Sequence, residues 1–557
     1  MPSAIAGVVG WSEPQSQCAG GAPPAAMAVS GLAVSAQTHE LLVQGDARIE
    51  QVSEREWRQH DGRPDEEVVV EVSPSRAVLR RDALGVRPLY YACSPDRMRL
   101  AWASRPGQLW AVPWVDRRPH WDTLLDVLAD TPRTDPTRTC VEGIRQVRPG
   151  HSLEWRPGRT AEIRHWDPGD YLWSGGRARG DTFARFASLV GDALERRIAG
   201  PSALLLSGGI DSPMLAAAAM RRHLPVVGLS NVYPSFPDAD ESANIRAVLN
   251  ALGMPGELLV PMETAFAFDA DAELSIHGEP NVATAHALFL HSLRAAAERG
   301  HKVAVDGHDG DSALGYPDGV GRYLLARPAL AVQAWGMRRA RGDLPRDIAR
   351  AWLQELSPAT FDLLKAGRAM LGLRRPPSES RPLLASWGGP LLDRQRAVRR
   401  LSWRETQLLA ASPMLAEGMA IMGRMAGSCG IDLVHPFADR PLMEFLLALP
   451  PEVKHAGGRN KGLARVAFPE LPPAVRNGMT KVDITDVVEA LHPLSEMRRL
   501  LRQPAVPVPF VDYERLRERL DSGEPYEHGE LHHLRALALT HRFLETRCQP
   551  VEPPDGG

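Results

Sequence analysis

The chain has 557 residues, enough for several cores, and length alone suggests roughly three or four domains. Hydrophobic residues make up 44% and charged residues 24%, ordinary for a globular protein, and a net charge of −3 gives no general electrostatic reason to expect nucleic-acid binding. No apolar run approaches the roughly 20 residues that span a bilayer. Five cysteines (Cys18, Cys93, Cys140, Cys429 and Cys548) are scattered, odd in number and without a Cys-x-x-Cys pair. That argues against a disulfide framework or a zinc site and favours a reducing cytoplasm. The first residues, MPSAIAGVVG, lack a basic n-region, so no signal peptide is expected.

Residues 1–165 read as mostly β. Short apolar runs such as Ile5–Val9, Val68–Val72 and Ala77–Leu79 are separated by polar and Gly/Pro turns. The stretch Arg81-Asp82-Ala83-Leu84-Gly85-Val86-Arg87-Pro88-Leu89-Tyr90-Tyr91 reads as a turn with an Arg-Asp pair that feeds an aromatic strand. Asp167–Gly180, rich in Gly, Asp and Arg, has the composition of a linker. Beyond it Phe183, Phe186, Ala187, Val190 and Leu194 recur at helical spacing, with Asp181 or Thr182 as cap.

The next segment, Leu204-Leu205-Leu206-Ser207-Gly208-Gly209-Ile210-Asp211-Ser212, is the most informative. A strand-like run enters a Ser-Gly-Gly turn and leaves through Asp and Ser into an Ala-rich helix from Ser212 to about His223. Two glycines let backbone N–H groups approach an anion and point at it together. The helix aims its positive end at the same spot. Ser207 and Ser212 add hydroxyls, and Asp211 can hold a cation that bridges phosphates. No Gly-Lys-Ser/Thr closes the loop, so it is not a Walker loop. The bland reading is a strand–turn–helix junction.

Further apolar runs at Val226–Ser230, Leu258–Val260 and Val303–Val305 alternate with helical segments. That alternation predicts a doubly wound parallel sheet covered on both faces. Ligands sit beyond the carboxyl ends of such strands. Ser207, Leu229–Ser230 and Asp306–Asp311 (including Gly307) all fall there, so three segments converge on one crevice. Asp238, Asp240 and Glu241 follow the second of these strands, as a solvated loop or an acidic group at the crevice. Residues 317–400 are rich in Arg, Leu, Ala and Pro and read as a helical insertion. Residues 549–557, with three prolines and two glycines, read as a disordered tail.

With these segments in view the chain resembles the asparagine synthetase family over nearly its whole length. The Ser-Gly-Gly-x-Asp-Ser stretch resembles the pyrophosphate loop of enzymes that split ATP into AMP and pyrophosphate. Three further matches support this: Ile5-Ala6-Gly7-Val8-Val9-Gly10 with the Arg81–Tyr91 stretch; Val305-Asp306-Gly307-His308-Asp309-Gly310-Asp311; and His435-Pro436-Phe437-x-Asp439 followed by Leu449-Pro450 and Gly457-Gly458-x-x-Lys461-x-x-x-Arg465. The resemblance implies an N-terminal antiparallel, Ntn-amidotransferase-like sandwich over 1–165. A C-terminal α/β ATP pyrophosphatase domain over 181–545 would follow it.

Two departures refine the expectation. The family's glutaminase uses an N-terminal Cys, and the matching position here is Ser3 behind Pro2, which implies a glutaminase shell without its catalyst. The family's Ser-Gly-Glu-Gly-x-Asp-Glu keeps a glutamate where this chain has His308. Together they imply that the attacking nitrogen comes from a substrate amine, as in β-lactam, carbapenam and lasso-peptide macrolactam synthetases. The Gly-His-Asp-Gly-Asp wording resembles the last of these. On this resemblance Asp211 and Asp311 hold Mg²⁺. Leu206, Ser207, Gly208, Gly209, Asp211, Ser212, Leu229, Ser230, Gly307 and Lys481 surround ATP. Lys461 offsets charge as the adenylate is attacked, and His308 orients or deprotonates the amine. The implied partners are a precursor peptide, a leader-binding protein and a leader peptidase. A small-molecule lactam synthetase, an asparagine synthetase-like amide ligase and a non-catalytic scaffold remain as alternatives.

Overall fold

The computed structural model describes residues 6–10, 42–44, 48–53, 56–61, 67–73, 75–174, 181–261, 268–283, 285–315, 407–456, 459–478, 482, 484, 486–488, 495–522 and 530–549. The expected insertion at 317–400, Ser3, Lys481 and all of the tail but Gln549 lie outside these residues.

The N-terminal part is built from β1 (Ala6–Gly10), β2 (Leu42–Gln44), β3 (Arg48–Ser53), β4 (Glu56–Asp61), β5 (Val68–Ser73), β6 (Arg76–Arg80), β7 (Tyr90–Cys93), β8 (Arg99–Ala103), β9 (Arg145–Gln146), β10 (His151–Arg156) and β11 (Arg159–Arg164). They form two antiparallel sheets, ordered β2-β1-β8-β7-β9 and β11-β10-β6-β5-β4-β3. Alternation explains the burial. Val68, Val70 and Val72 of β5 point inward while Val69, Glu71 and Ser73 do not. The inward faces of β5, β6, β8 and β10 share one core around Leu79, Trp102 and Trp155, which makes a sandwich.

The Arg81–Tyr91 stretch is the turn expected from sequence, and its pair is structural. Arg81 is buried and donates to the carbonyls of Gly85 at 2.9 Å, Arg87 at 3.0 Å and Val147 at 2.8 Å. Asp82 accepts from the Val86 and Arg87 amides at 3.0 and 3.1 Å. Gly85 sits at φ +71, and a Cβ there would stand 2.9 Å from Ala416 of the second domain. The turn thus docks one domain on the other.

The second domain opens with the helix Thr182–Glu195, capped by Asp181, one of the two residues the sequence offers. Its sheet contains β12 (Ser202–Leu205), β13 (Val226–Asn231), β14 (Gly256–Leu259), β15 (Val303–Val305) and β16 (Asp432–Val434), all parallel, in the order β14-β13-β12-β15-β16. Helices Asp211–Arg221, Ser242–Leu252 and His286–Glu298 connect the strands. Asp439, at 0% exposure, binds Arg197 at 2.7 Å and caps the helix Arg440–Leu447 through the Leu442 amide at 3.0 Å. It is a structural carboxylate. Among the described residues no helix is long and apolar enough to cross a membrane.

The domains share a core in which Tyr90, Leu124 and Ile144 meet Leu274, Leu288, Leu534 and Phe543. Polar ties cross the same boundary. Arg87 binds Asp432 at 2.7 Å, the Trp166 indole donates to Glu444 at 3.0 Å, and Arg424 donates to the Tyr90 hydroxyl at 2.8 Å.

Candidate active site

The strand order reverses beside β12: the chain leaves it for β13 and β14 on one side and returns as β15 on the other. Loops at such a switch point part and leave a crevice. Leu204 is paired with Val305, so the loops that follow these strands emerge side by side. Their approach requires glycine. A Cβ on Gly307 would lie 2.9 Å from the Ser212 nitrogen, and one on Gly310 would lie 2.5 Å from the Asp211 carboxyl carbon.

Leu206 and Leu229 are buried floor residues, joined by a Leu206 N–H bond to the Leu229 carbonyl at 2.9 Å. Beside them the Ser230 hydroxyl, on a residue 1% exposed, has no partner among the described residues. A buried hydroxyl without a partner costs stability, so its persistence at a crevice fits a bound polar molecule.

The Ser-Gly-Gly turn is tied to its helix. The Ser207 amide donates to the Ser212 hydroxyl at 2.9 Å, and the two hydroxyls lie 3.0 Å apart. The helix starts at Asp211 without a side-chain cap, which leaves its first amides facing the turn. The Gly208 amide donates to the Glu241 carboxylate at 3.0 Å, and the Asn244 amide group to the Gly208 carbonyl at 3.4 Å. An anion therefore already sits on this amide, as the turn's geometry favours. Burial, aided by nearby Asp240, pushes the Glu241 carboxyl up from its ordinary value, although the bond from Gly208 opposes this. A Cβ on Gly208 would stand 2.7 Å from the Glu241 Cβ. Gly208→Ala is therefore expected to push the loop from Glu241 and Asn244 and weaken binding of a phosphate anion at the turn about tenfold with little change in Tm. Isothermal titration would check it, and unchanged affinity would remove Gly208 from the site.

Lys461 completes the centre from 250 residues away. Its ammonium lies 2.5 Å from Asp211 Oδ2 and 2.7 Å from Asp311 Oδ1. The lysine side chain is 9% exposed, against 20% for Asp211 and 40% for Asp311, so the cation is the most enclosed member. Lys461 adopts the left-handed conformation (φ 55) directly before the helix Gly462–Ala467. Gly462 is obligatory there, since a Cβ would lie 2.1 Å from the Ala456 carbonyl oxygen. The strained backbone fixes where the side chain leaves the chain.

Lys454, just before this turn, is almost fully buried and donates to Gln407 at 2.7 Å. Burial pushes its amine down from 10.5 to about 7. The unfolded amine holds its proton below the ordinary value, whereas the folded amine holds it only below about 7. Stability is therefore lost as pH falls across that window and is lost in full below it. Lys454→Met is expected to stabilise the chain at pH 7 by on the order of 2–4 kcal/mol. The gain in Tm should shrink toward pH 10, and a gain independent of pH would contradict this account.

His308 stands apart from the lysine. Its ring is 50% exposed, with Nε2 3.5 Å from Asp309, and it faces the helix Pro413–Ser428, 4.0 Å from where a Cβ on Gly418 would be. Asp309 is held left-handed (φ 68), and burial raises its carboxyl. Sequence reasoning did not single out the pair behind this turn. Asp306 accepts from the His308 amide at 3.2 Å and lies 3.1 Å from His435 Nδ1 at the end of β16. Burial opposes ionisation of Asp306, but His435 more than offsets it and the carboxyl lies below its usual value. The signal was present: Asp306 and His435 each follow a parallel strand directly, and β15 and β16 are neighbours.

Among the described residues no group of three or more His, Cys, Asp or Glu is disposed to hold a metal ion. Magnesium bound through a nucleotide needs only one or two carboxylates. Asp211 and Asp311 reach one cationic point and fit that requirement, with Lys461 sharing their charge.

A model of the asparagine synthase family matches residues 185–542, and one of the glutamine amidotransferase domain matches 68–166. Asparagine synthetase [glutamine-hydrolyzing] 3 of Bacillus subtilis (strain 168) is 22% identical over 418 residues, covering 71% of this chain and 62% of that protein. Amidase chyE of Penicillium rubens is 27% identical over 272 residues, covering 45% and 39%. The chain thus spans less than two thirds of the length of these curated relatives. Glutamine phosphoribosylpyrophosphate amidotransferase from B. subtilis overlaps 36% of this chain and 32% of its own at 11% identity, with a TM-score of 0.12, too low to say anything of this molecule. The matched family model covers well over half of the residues and includes the Ser-Gly-Gly turn, Asp311 and Lys461: the chain belongs to the asparagine synthase family.

Proposed function

We propose that this protein is an ATP-dependent, AMP-forming carbon–nitrogen ligase that closes a macrolactam in a ribosomal precursor peptide. The observation that carries the ligase reading is the convergence of Lys461 on Asp211 and Asp311 beside the Ser207–Ser212 turn. The turn's amides and hydroxyls hold the leaving pyrophosphate, and Ser230 meets the nucleotide from the neighbouring strand. Magnesium, when bound, neutralises phosphate charge at the two aspartates.

A side-chain carboxylate of the peptide attacks the α-phosphorus of ATP, and pyrophosphate leaves. The peptide's α-amine then attacks the acyl carbon, AMP leaves and the amine gives up its proton. Enclosure favours the intramolecular attack. Lys461 offsets the charge that develops on the acyl-adenylate as it is attacked. His308, on the exposed side of the crevice, orients the amine or takes its proton.

Two features support a substrate amine over ammonia: His308 where the family keeps a glutamate, and Ser3 where it keeps a catalytic cysteine. An amide ligase closer to asparagine synthetase is favoured only by family membership. On this reading the precursor peptide is the substrate, with a leader-binding protein and a leader peptidase as partners. The test is to incubate the protein with ATP, Mg²⁺ and processed peptide. AMP formation with loss of one water from the peptide is expected. ADP, or an unchanged peptide mass, would refute the proposal.

A further inference from the structure

One side chain of the N-terminal domain reaches two carboxylates of the second domain. Arg133 lies in the loop after the helix Trp121–Leu128, and its Nη1 is held within its own domain by the Arg138 carbonyl at 2.5 Å. Its Nη2 donates to Glu279 and to Glu417, each at 3.0 Å. The three side chains are 11%, 4% and 19% exposed. Glu279 also accepts from the Cys140 amide at 3.1 Å, so the N-terminal domain grips it twice. Burial alone would raise the Glu279 carboxyl, but Arg133 and Arg424 more than offset this and hold it below its usual value.

Glu417 belongs to the helix Pro413–Ser428. Arg424, two turns further along the same face, donates to the Tyr90 hydroxyl at 2.8 Å. Ala416 packs where Gly85 leaves no room for a side chain. Three consecutive helix positions thus face two ways. Ala416 and Glu417 meet the N-terminal domain, and Gly418, turned further around the helix, faces the His308 ring. The helix has the N-terminal domain on one side and the crevice turn on another.

A buried ionic contact of this kind is a poor source of net stability, since desolvation consumes most of the attraction. It is a good source of orientation, because a planar guanidinium held at Nη2 by two carboxylates and at Nη1 by a carbonyl admits few arrangements.

We infer that Arg133 is a positioning residue through which the N-terminal domain sets the helix Pro413–Ser428 against the His308 turn. A domain that resembles a glutaminase shell thereby serves the second half of the reaction, amine transfer, more than nucleotide binding. The pyrophosphate turn follows β12, on the far side of β15 from β16, against which this helix packs. The activity part of this inference rests on the ligase reading above, whereas the structural part does not.

The experiment uses the full chain with Arg133→Met, Glu417→Ala, the double variant and Arg133→Lys. Hydrogen–deuterium exchange should quicken in 413–428 and in 306–314 for either single substitution, with no change in 202–212. The double variant should exchange no faster than the worse single. Ring closure should fall about tenfold in each single variant and about tenfold, not a hundredfold, in the double. ATP-dependent pyrophosphate exchange should fall less than ring closure, since the loosened segment also carries Asp311. Arg133→Lys, which keeps the charge and one carboxylate, should fall between parent and Arg133→Met, and it serves also if Arg133→Met does not fold. Faster exchange confined to 413–428 would overturn the inference, as would loss of pyrophosphate exchange in step with ring closure, or additive losses in the double variant. If the parent closes no peptide, the macrolactam reading fails by itself, and hydrogen exchange in 306–314 alone decides for or against the positioning role.

Discussion

Asp211→Asn is expected to stop the reaction at its first step. The substitution keeps size and shape but removes one of the two negative charges that meet Lys461. Three consequences combine. The metal loses a ligand whose charge it needs to bind. Lys461 keeps only Asp311 as a charged partner within the cluster, and that carboxylate is the more exposed of the two. The asparagine also presents an N–H group toward the ammonium or the metal in one of its two orientations. ATP-dependent pyrophosphate exchange should drop by roughly 100- to 1000-fold, about 3–4 kcal/mol in the barrier. Apparent affinity for Mg·ATP should weaken with it, while Tm moves little because the side chain is partly exposed. Pyrophosphate exchange at the parental rate would remove Asp211 from the metal site.

Lys461→Ala should fail differently. ATP should bind within severalfold of the parent, since the turn's amides and hydroxyls remain, yet product formation should fall by roughly 100- to 1000-fold. The reason is timing: a charge that counts most as the acyl-adenylate is attacked contributes little to the ground state. The present geometry adds a refinement. Without the ammonium, Asp211 and Asp311 face one another with no cation between them, and like charges at that distance raise each other's affinity for a proton or a metal. The variant should therefore need less Mg²⁺ for half-maximal nucleotide binding. Nucleotide titration at several Mg²⁺ concentrations, beside single-turnover product formation, separates the two effects. Native turnover would shift the role to Lys481.

Much of this site could be read before the structure. The Ser207–Ser212 turn carries its own geometry, because glycine and the capless helix start are local properties, and the parallel strands announced themselves by period and length. Element ends were less legible. The helix begins at Asp211, not Ser212, and β14 spans Gly256–Leu259, not 258–260, because hydrogen bonding with neighbours sets those limits. What sequence supplied least was pairing at long range. That Lys461 reaches both aspartates depends on an αL backbone and on Gly462 against Ala456. Glu241 on the Gly208 amide depends on how the loop after β13 folds back, where Asp240 accepts from the Tyr233 amide at 3.0 Å and the Ser242 hydroxyl at 2.6 Å. The Arg81–Asp82 pair was legible as part of a turn, and what the structure adds is that both side chains brace it.

The bridge made by Arg133 also bears on how the protein is made. Its two carboxylates lie 146 and 284 residues further along the chain. At roughly 5–20 residues per second of synthesis, roughly 15 s to 1 min passes between the emergence of Arg133 and that of Glu417. Over the first half of that interval the nascent first domain carries a cation with neither carboxylate, and over the second half with only Glu279, beside the apolar face formed by Tyr90, Leu124 and Ile144. Such a surface is sticky and cannot close on itself. A ribosome stalled before residue 413 should display a chaperone client, and a gene cut between the domains should yield an N-terminal fragment that stays soluble only when the remainder is supplied in the same cell.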